Sequence, residues 1–420
     1  MNTTVSTDSF LSARLNAWVD DHFDDQVALL RQLVAVPTDT PPGNNAPHAE
    51  VVAGILEGWG WQVERHAVPD DEIRAYGMQS ITNLIVRRRY APGGPVIALN
   101  AHGDVVPPGE GWTHDPYGGE VIDGRLYGRA SAVSKSDFTT YLHAVRALEA
   151  SGAALKGAVE LHFTYDEEFG GLKGPGWLLE HGLTRPDYVL CASFSHAVVT
   201  AHNGCLQFEV TVEGKATHGS APKTGHDALR AASRILDEVY RQAAALDEIH
   251  SAIDGITNPT MIVGRIEGGT NTNVVPGRVV LKMDRRLIPE ENPEQVEAQV
   301  RGFIQSAVVG LPGITVTIRR LLLARALRPL SGHEKLVASL QRHALAVFDE
   351  AILAVGTPLY ADARLYAEQG IPTVMYGAGP RTVLESRAKQ ADEHIELGDL
   401  RGATQVVAGM LADFLAGPVL

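Results

Sequence analysis

The stretch from residue 96 to residue 137 constrains this chain more than any other. Val96-Ile97-Ala98-Leu99 is an apolar run with Pro95 before it and Gly103 after it. Such a run reads as a buried strand of a parallel or mixed sheet. It delivers His102-Gly103-Asp104 at its carboxyl end, where an open α/β sheet places its ligand crevice. A His-x-Asp pair there suits a metal ligand oriented by a carboxylate, and equally a hydrogen-bonded loop histidine. The rest of the chain has to decide.

Around that strand the pattern alternates. Val27, Leu29, Leu30, Leu33 and Val34 have helical spacing that ends at Pro37, and 47–58 reads as a second helix. Strands are expected at 61–68 and 81–88, a helix at 136–150, and a strand from Gly157 to Thr164 that runs into Asp166-Glu167-Glu168. Helix 173–181 and strand 187–191 complete a helix-covered parallel or mixed sheet. The first ten residues are expected to fray.

The rhythm changes near Thr200. Strand, long amphipathic helix (227–246), two strands, helix and strand follow in the pattern of an antiparallel sheet covered on one face. With 420 residues the chain exceeds one comfortable core. We therefore expect an α/β domain of 1–199 and 323–420, carrying an inserted α+β, ferredoxin-like lid of 200–322. Residues 206–212 alternate like a half-exposed strand, and we expect 207–212 to offer an edge for pairing with a second copy.

Charge narrows the partners. Thirty-six basic against 50 acidic residues leave a net charge of −14, which argues against nucleic acid and anionic membrane. No apolar stretch has the length of a membrane span, and Met1 to Ser9 is polar, unlike a secretory signal. Cys191 and Cys205 are too few for a disulfide framework, so free thiols in a reducing cytoplasm are expected.

Seven motifs in order then point to a family: His102-Gly103-Asp104; Trp112 to Pro116 with Gly124 to Arg129; Asp166-Glu167-Glu168; Gly214 to Pro222 with Ala216-Thr217-His218; Gly268-Gly269 to Asn273-Val274-Val275-Pro276; Asp284-Arg285-Arg286; and Gly377-Ala378-Gly379-Pro380. From about residue 25 to 415 the chain resembles the di-zinc aminoacylases, acetylornithine deacetylases, succinyl-diaminopimelate desuccinylases and glutamate carboxypeptidases. The resemblance implies a zinc-exopeptidase-like catalytic domain, a dimerising lid and a site for two zinc ions. It places zinc ligands at His102 and Glu168, which are present. It also places a bridging Asp at Val133, a carboxylate at Ser193 and a late His at Lys389. Three of the five ligand positions thus hold residues that do not supply a zinc ligand of the usual kind. His196, Asp137 and Asp104 are the residues left to complete a single-metal site. The expectation is a metal-free pocket in which the Lys389 cation offsets the carboxylates.

What is retained implies chemistry. By resemblance Glu167 is the general base, its pKa raised by the like charges of Asp166 and Glu168. Asp104 holds His102 in one tautomer. His218 donates to the substrate's carbonyl oxygen, often in the partner subunit's site, with Lys389 as a second oxyanion stabiliser. Asn273 and Arg286 clamp the substrate carboxylate, and Glu168, Ser193 and Gly379 line the same pocket. Arg285 and Arg286 alternate on a strand, so one faces inward and the other is surface charge. Lys135 among Ser131, Ser134 and Ser136 offers a Ser/Lys nucleophile as an alternative. The expected activity is metal-free hydrolysis of the amide of a small carboxylate-bearing N-acyl amino acid by a homodimer. The alternatives are a cyclase or lyase on the same fold, or a pseudoenzyme that binds a carboxylate.

Overall fold

His102, Glu167, Glu168 and Ser193 owe their positions to one sheet. The computed structural model describes residues 7–382 and 384–417. Eight strands form the large sheet, in the order Glu64–Ala67, Thr82–Arg89, Lys156–Thr164, Ala91–His102, Tyr188–Cys191, Thr373–Met375, Ala197–His202 and Leu353–Thr357. Its centre is parallel: Leu99 lies opposite Leu161 on one side and Leu190 on the other, and Val374 lies opposite Leu190. The Thr82–Arg89 and Glu64–Ala67 strands join antiparallel, which makes the sheet mixed.

The apolar runs are buried on both faces, as parallel strands require. Ile97, Leu99, Val159, Leu161, Leu190 and Val374 are fully buried in the larger core. Helices Phe23–Val34, Lys135–Ala150, His333–Phe348 and Leu397–Leu415 contribute Leu30, Leu142, Leu340 and Val407 to the same core.

One expectation fails in this region, and one strand lies where no element was expected. A helix occupies Thr7–Asp21, so the described part of the first ten residues is helical rather than frayed. Leu11, Leu15, Trp18 and Val19 pack one stripe of it on the core. The Ala197–His202 strand was also not foreseen.

The chain divides into two units, each described by itself. The first runs through Thr200 and takes in Pro329–Val355 and the chain from Ala361 on; the second is Ala201–Arg328 with Gly356–Tyr360. The expected boundary at 322 falls short because the Thr315–Ala324 strand stays paired as far as Ala324, opposite Cys205.

The second unit is a four-stranded antiparallel sheet in the order Thr260–Gly268, Arg278–Leu287, Gly204–Glu213, Thr315–Ala324. Helices Ala228–Ala245 and Pro293–Ala307 bury Ile235, Val239, Val300 and Ile304 in its core, with Leu206, Phe208, Val210 and Leu281 from the sheet. The expected free edge at 207–212 is overturned, since Gly204–Glu213 is paired on both sides. The edges are Thr260–Gly268 and Thr315–Ala324. Among the described residues no helix is long and apolar enough to cross a membrane.

Candidate functional site

Four parallel strands of the first unit end on the same side, and their next few residues form the site. They release His102-Gly103-Asp104, Tyr165 to Phe169, Ala192 to Ser195, and Gly377 to Pro380. Segments far apart in the chain meet because parallel neighbours share a direction.

His102 is buried, its Nδ1 3.0 Å from the Asp104 carbonyl and 3.4 Å from that residue's carboxylate. Its Nε2 lies 3.9 Å from Glu167 Oε2. Burial alone would favour the neutral ring. Glu167, Asp104 and Glu168 outweigh it and carry the His102 pKa up to about 10. That direction favours the charged ring, which Asp104 would stabilise beside the 3.0 Å contact of Nδ1 with its carbonyl. The Asp104 carboxylate itself accepts the Glu167 amide at 3.2 Å and the Glu168 amide at 3.0 Å. That pair of bonds fixes the glutamates to the histidine strand.

The Glu167 carboxyl is pushed up to about 7, first by burial, then by the charges of Glu168 and Asp104, while His102 and Lys389 pull it down. Burial leads here; the sequence argument from like charge named the smaller cause. Asp166 has partners of its own. It accepts from the Lys173 amide and the Tyr76 hydroxyl, and burial lifts it to about 7. Beside it lies Asp362, a buried carboxyl pushed well above its ordinary range by burial and by Glu167. Gly171, at φ +74°, leaves room for it: a Cβ there would fall 2.1 Å from Asp362 Oδ1. Asp362 precedes the helix Ala363–Glu368 and reads in sequence as a plain helix start, which is why it was missed.

At the three positions where the resemblance places the remaining ligands stand Val133, Ser193 and Lys389. The Lys389 ammonium stands 2.6 Å from Glu168 Oε2. Partial burial lowers its pKa, and Glu168 and Glu167 more than restore it, so it stays charged. The three candidate replacements are committed elsewhere. His196 bonds Asp399 at 2.9 Å, Asp104 holds the two glutamate amides, and Asp137 accepts the Ala378 amide at 2.7 Å and the Ser134 hydroxyl at 3.3 Å. Among the described residues, no three His, Cys, Asp or Glu side chains come together as a metal ion requires.

Gly379 plays a different part from the one expected. Its amide donates to the Ser193 carbonyl and its carbonyl accepts from the Ser195 amide and hydroxyl, which leaves neither for a substrate. A Cβ there would fall 2.8 Å from the Ser193 oxygen, so Gly379 is a point of close backbone approach. The Ser/Lys alternative lacks its defining contact: among the described residues no hydrogen bond joins Lys135 Nζ to Ser131, Ser134 or Ser136, and the buried Ser131 hydroxyl has no partner. Lys135 Nζ donates to the Val36 carbonyl at 2.7 Å, and the Ser134 and Ser136 hydroxyls donate to Asp137 and to the Ala132 carbonyl. Holding the whole region is a buried ion pair, Arg129 Nη1 to Glu393 Oε2 at 2.5 Å.

The remaining candidates lie on the second unit. His218 pairs with Val274 in a two-residue ladder, and the Gly219 amide donates to the Asn273 carbonyl at 2.7 Å, so His218 and Asn273 are neighbours. The Ser220 amide and hydroxyl both approach His218 Nδ1, at 3.2 and 2.7 Å. Nδ1 is thus the acceptor, and the neutral ring carries its proton on Nε2. Of the two arginines, Arg285 is the buried one, paired with Glu291. Arg286 is half-buried rather than surface charge, and its Nε donates to Asp284 at 2.8 Å.

Comparison with known proteins agrees with the motifs. Residues 98–413 match the profile of Peptidase family M20/M25/M40. An acetylornithine deacetylase of Myxococcus xanthus is 30% identical over 394 residues, 93% of this chain and 97% of the relative. A succinyl-diaminopimelate desuccinylase of Gluconacetobacter diazotrophicus is 27% identical over 397 residues, 92% and 96% of the two chains. Among solved structures, human carnosine dipeptidase 1 has the same fold, with a TM-score of 0.73 at 18% identity over 96% of this chain and 99% of that one. The M20 family metallo-carboxypeptidase Sso-CP2 from Sulfolobus solfataricus gives 0.74 at 17% identity over 92% and 98%. A buried histidine-carboxylate site on this fold, and a profile that spans both units, make the chain a hydrolase that belongs to Peptidase family M20/M25/M40.

Proposed function

We propose that this hydrolase cleaves the amide bond of a small carboxylate-bearing N-acyl amino acid without a metal ion, using Glu167 as general base. The observation that carries the reading is geometric: Glu167 Oε2 stands 3.9 Å from His102 Nε2 and its amide is fixed by the Asp104 carboxylate, a setting in which burial pushes its carboxyl up to about 7. A base poised near neutrality accepts a proton from water and returns it to the leaving amine. The two named relatives act on acetyl and succinyl amides, and that substrate class is carried to this chain as part of the proposal.

The donor set does not fit zinc. A structural or catalytic zinc site takes three or four Cys, His, Asp or Glu ligands, and Glu168 is already neutralised by Lys389 at 2.6 Å. Cationic groups fixed to the chain, His102 and Lys389, supply the positive field near a developing oxyanion. Arg286 and Asn273 are assigned to the substrate carboxylate, and His218, through Nε2, to its carbonyl oxygen.

The test is a panel of N-acetyl and N-succinyl amino acids, assayed for free amine in the presence of chelator. Turnover by wild type and its loss in Glu167→Gln support the reading. Activity that appears only when zinc or cobalt is restored overturns the metal-free part. A second reading, a proton transfer without water such as a cyclisation or elimination, gains support from the closed Glu168–Lys389 pair, which offers no Lewis acid to polarise an unactivated amide. Product mass separates the two, since hydrolysis alone adds one water.

A further inference from the structure

On the strand Arg278–Leu287 the side chains alternate, with Leu281, Met283 and Arg285 buried and Lys282, Asp284 and Arg286 on the opposite face. Cross-strand register places Gln207 opposite Asp284 and Cys205 opposite Arg286. These four groups form one connected cluster. Arg286 Nε donates to Asp284 Oδ1 at 2.8 Å, while Asp284 Oδ2 accepts from Gln207 Nε2 at 3.0 Å and from Cys205 Sγ at 3.2 Å. The guanidinium carbon of Arg286 stands 5.3 Å from the centre of the Tyr360 ring.

Each contact has a physical consequence. Asp284 receives three donors, so its carboxylate has one orientation. Burial, then the Asp284 charge, drives the Cys205 thiol up to about 12, which keeps it a protonated donor throughout the physiological range. Arg286 has only its Nε edge engaged. Its Nη1 and Nη2 make no hydrogen bond among the described residues. A guanidinium held by Nε presents those two nitrogens as a fork, the geometry that a planar carboxylate matches bidentately.

We infer that Asp284, fixed by Gln207 and Cys205, is a positioning residue that aims the Arg286 fork at the substrate carboxylate, with Tyr360 stacked beside the guanidinium. The inference rests on the assignment of Arg286 to the carboxylate and adds what makes that arginine selective. A free arginine side chain samples many rotamers and binds anions diffusely. One tied at Nε has lost that freedom before the ligand arrives, so less is lost on binding. A carboxylate then gains over the ester or carboxamide of the same compound, because neither of those accepts two parallel N–H bonds with charge assistance.

The experiment is a double-mutant cycle on the full-length protein, read by calorimetric binding of the N-acyl amino acid that wild type binds tightest in the panel above. KM and kcat are measured alongside. Asp284→Ala is expected to weaken binding by about 10- to 100-fold, to raise KM by a like factor and to leave kcat within about threefold. Asp284→Asn, which keeps an oxygen for Nε, is expected to recover part of the loss. In an Arg286→Ala background Asp284→Ala is expected to do nothing further. Its effect persisting in full in that background overturns the inference, as does unchanged binding in Asp284→Ala with a normal melting transition. If Asp284→Ala fails to fold, Gln207→Met removes one donor to the carboxylate and is expected to weaken binding severalfold; no change there overturns the inference equally. Binding without turnover in wild type counts against the proposed hydrolysis and leaves this cycle readable. No binding by any panel member overturns both.

Discussion

In the first unit the site residues hold one another through charge: His102 with Asp104 and a part-buried Glu167, and Arg129 with Glu393 in the interior, Glu168 with an exposed Lys389 at the rim. In the second, His218 and Asn273 are exposed and are held by main-chain pairing. Burial explains the division of labour. Ionisable groups out of water shift their pKa values and become useful for moving protons. Exposed groups on a two-residue ladder stay open to solvent and to any ligand that reaches them. Arg286 stands between these cases, half-buried and tied by a single edge.

The sharpest way to break this comparison is to remove the proton carrier. Glu167→Gln keeps shape and hydrogen-bonding reach, and a positioned base contributes about 10²–10⁴-fold. Turnover should fall by that much with binding nearly unchanged, in steady-state assays beside calorimetry; a fall of less than tenfold removes Glu167 from its role. Next comes the frame. Arg129→Met leaves Glu393 buried and unpaired, which typically costs about 3–5 kcal/mol. Urea unfolding should show that loss, whereas substituting the exposed His218 should leave the midpoint in place.

The second unit has its own break point. Ile262 and Ile266 stand 55% and 50% exposed on the edge strand Thr260–Gly268. If the chain pairs with a copy of itself, that edge is where an exposed apolar row would be covered, each isoleucine contributing about 1.5–3 kcal/mol when fully buried. Sedimentation should then show a dimer for wild type and a monomer for the Ile262→Lys, Ile266→Lys double variant. A wild-type monomer at micromolar concentration ends the homodimer proposal.

Smaller effects probe the charges. Activity that needs the Glu167 carboxylate should rise as pH increases through about 7. Lys389 lowers that pKa, so Lys389→Met should raise it and shift the acid limb of kcat/KM to higher pH; an unmoved limb separates Lys389 from the base. The smallest expected change is none at all, when chelator is added to wild type. The triple variant Val133→Asp, Ser193→Glu, Lys389→His builds the ligand set that the resemblance implies and should gain zinc by metal analysis.

Much of this was legible beforehand. The strand Ala91–His102 and the helix Lys135–Ala150 follow from apolar spacing alone, since both are long and strongly patterned. The edge assignment at 207–212 failed for a definite reason: alternation reports which face of a strand is buried and says nothing of whether both its backbone edges are paired. Asp362 and Lys135 were unreadable as buried groups, because a charged side chain carries no sequence mark of burial. The helix Thr7–Asp21 does carry a signal, in the spacing of Leu11, Leu15, Trp18 and Val19.

The bond between Lys389 and Glu168 has a consequence for where such a protein can work. An ammonium carried by the chain sits at its carboxylate at a fixed effective concentration, with no dependence on what the surroundings supply. A dissolved ion obeys mass action and is lost when it grows scarce. Lys389 Nζ, 2.6 Å from its partner, is renewed with every copy synthesised. If the hydrolysis proposed above needs no metal ion, its rate should be alike in a medium rich in trace metals and in one stripped of them.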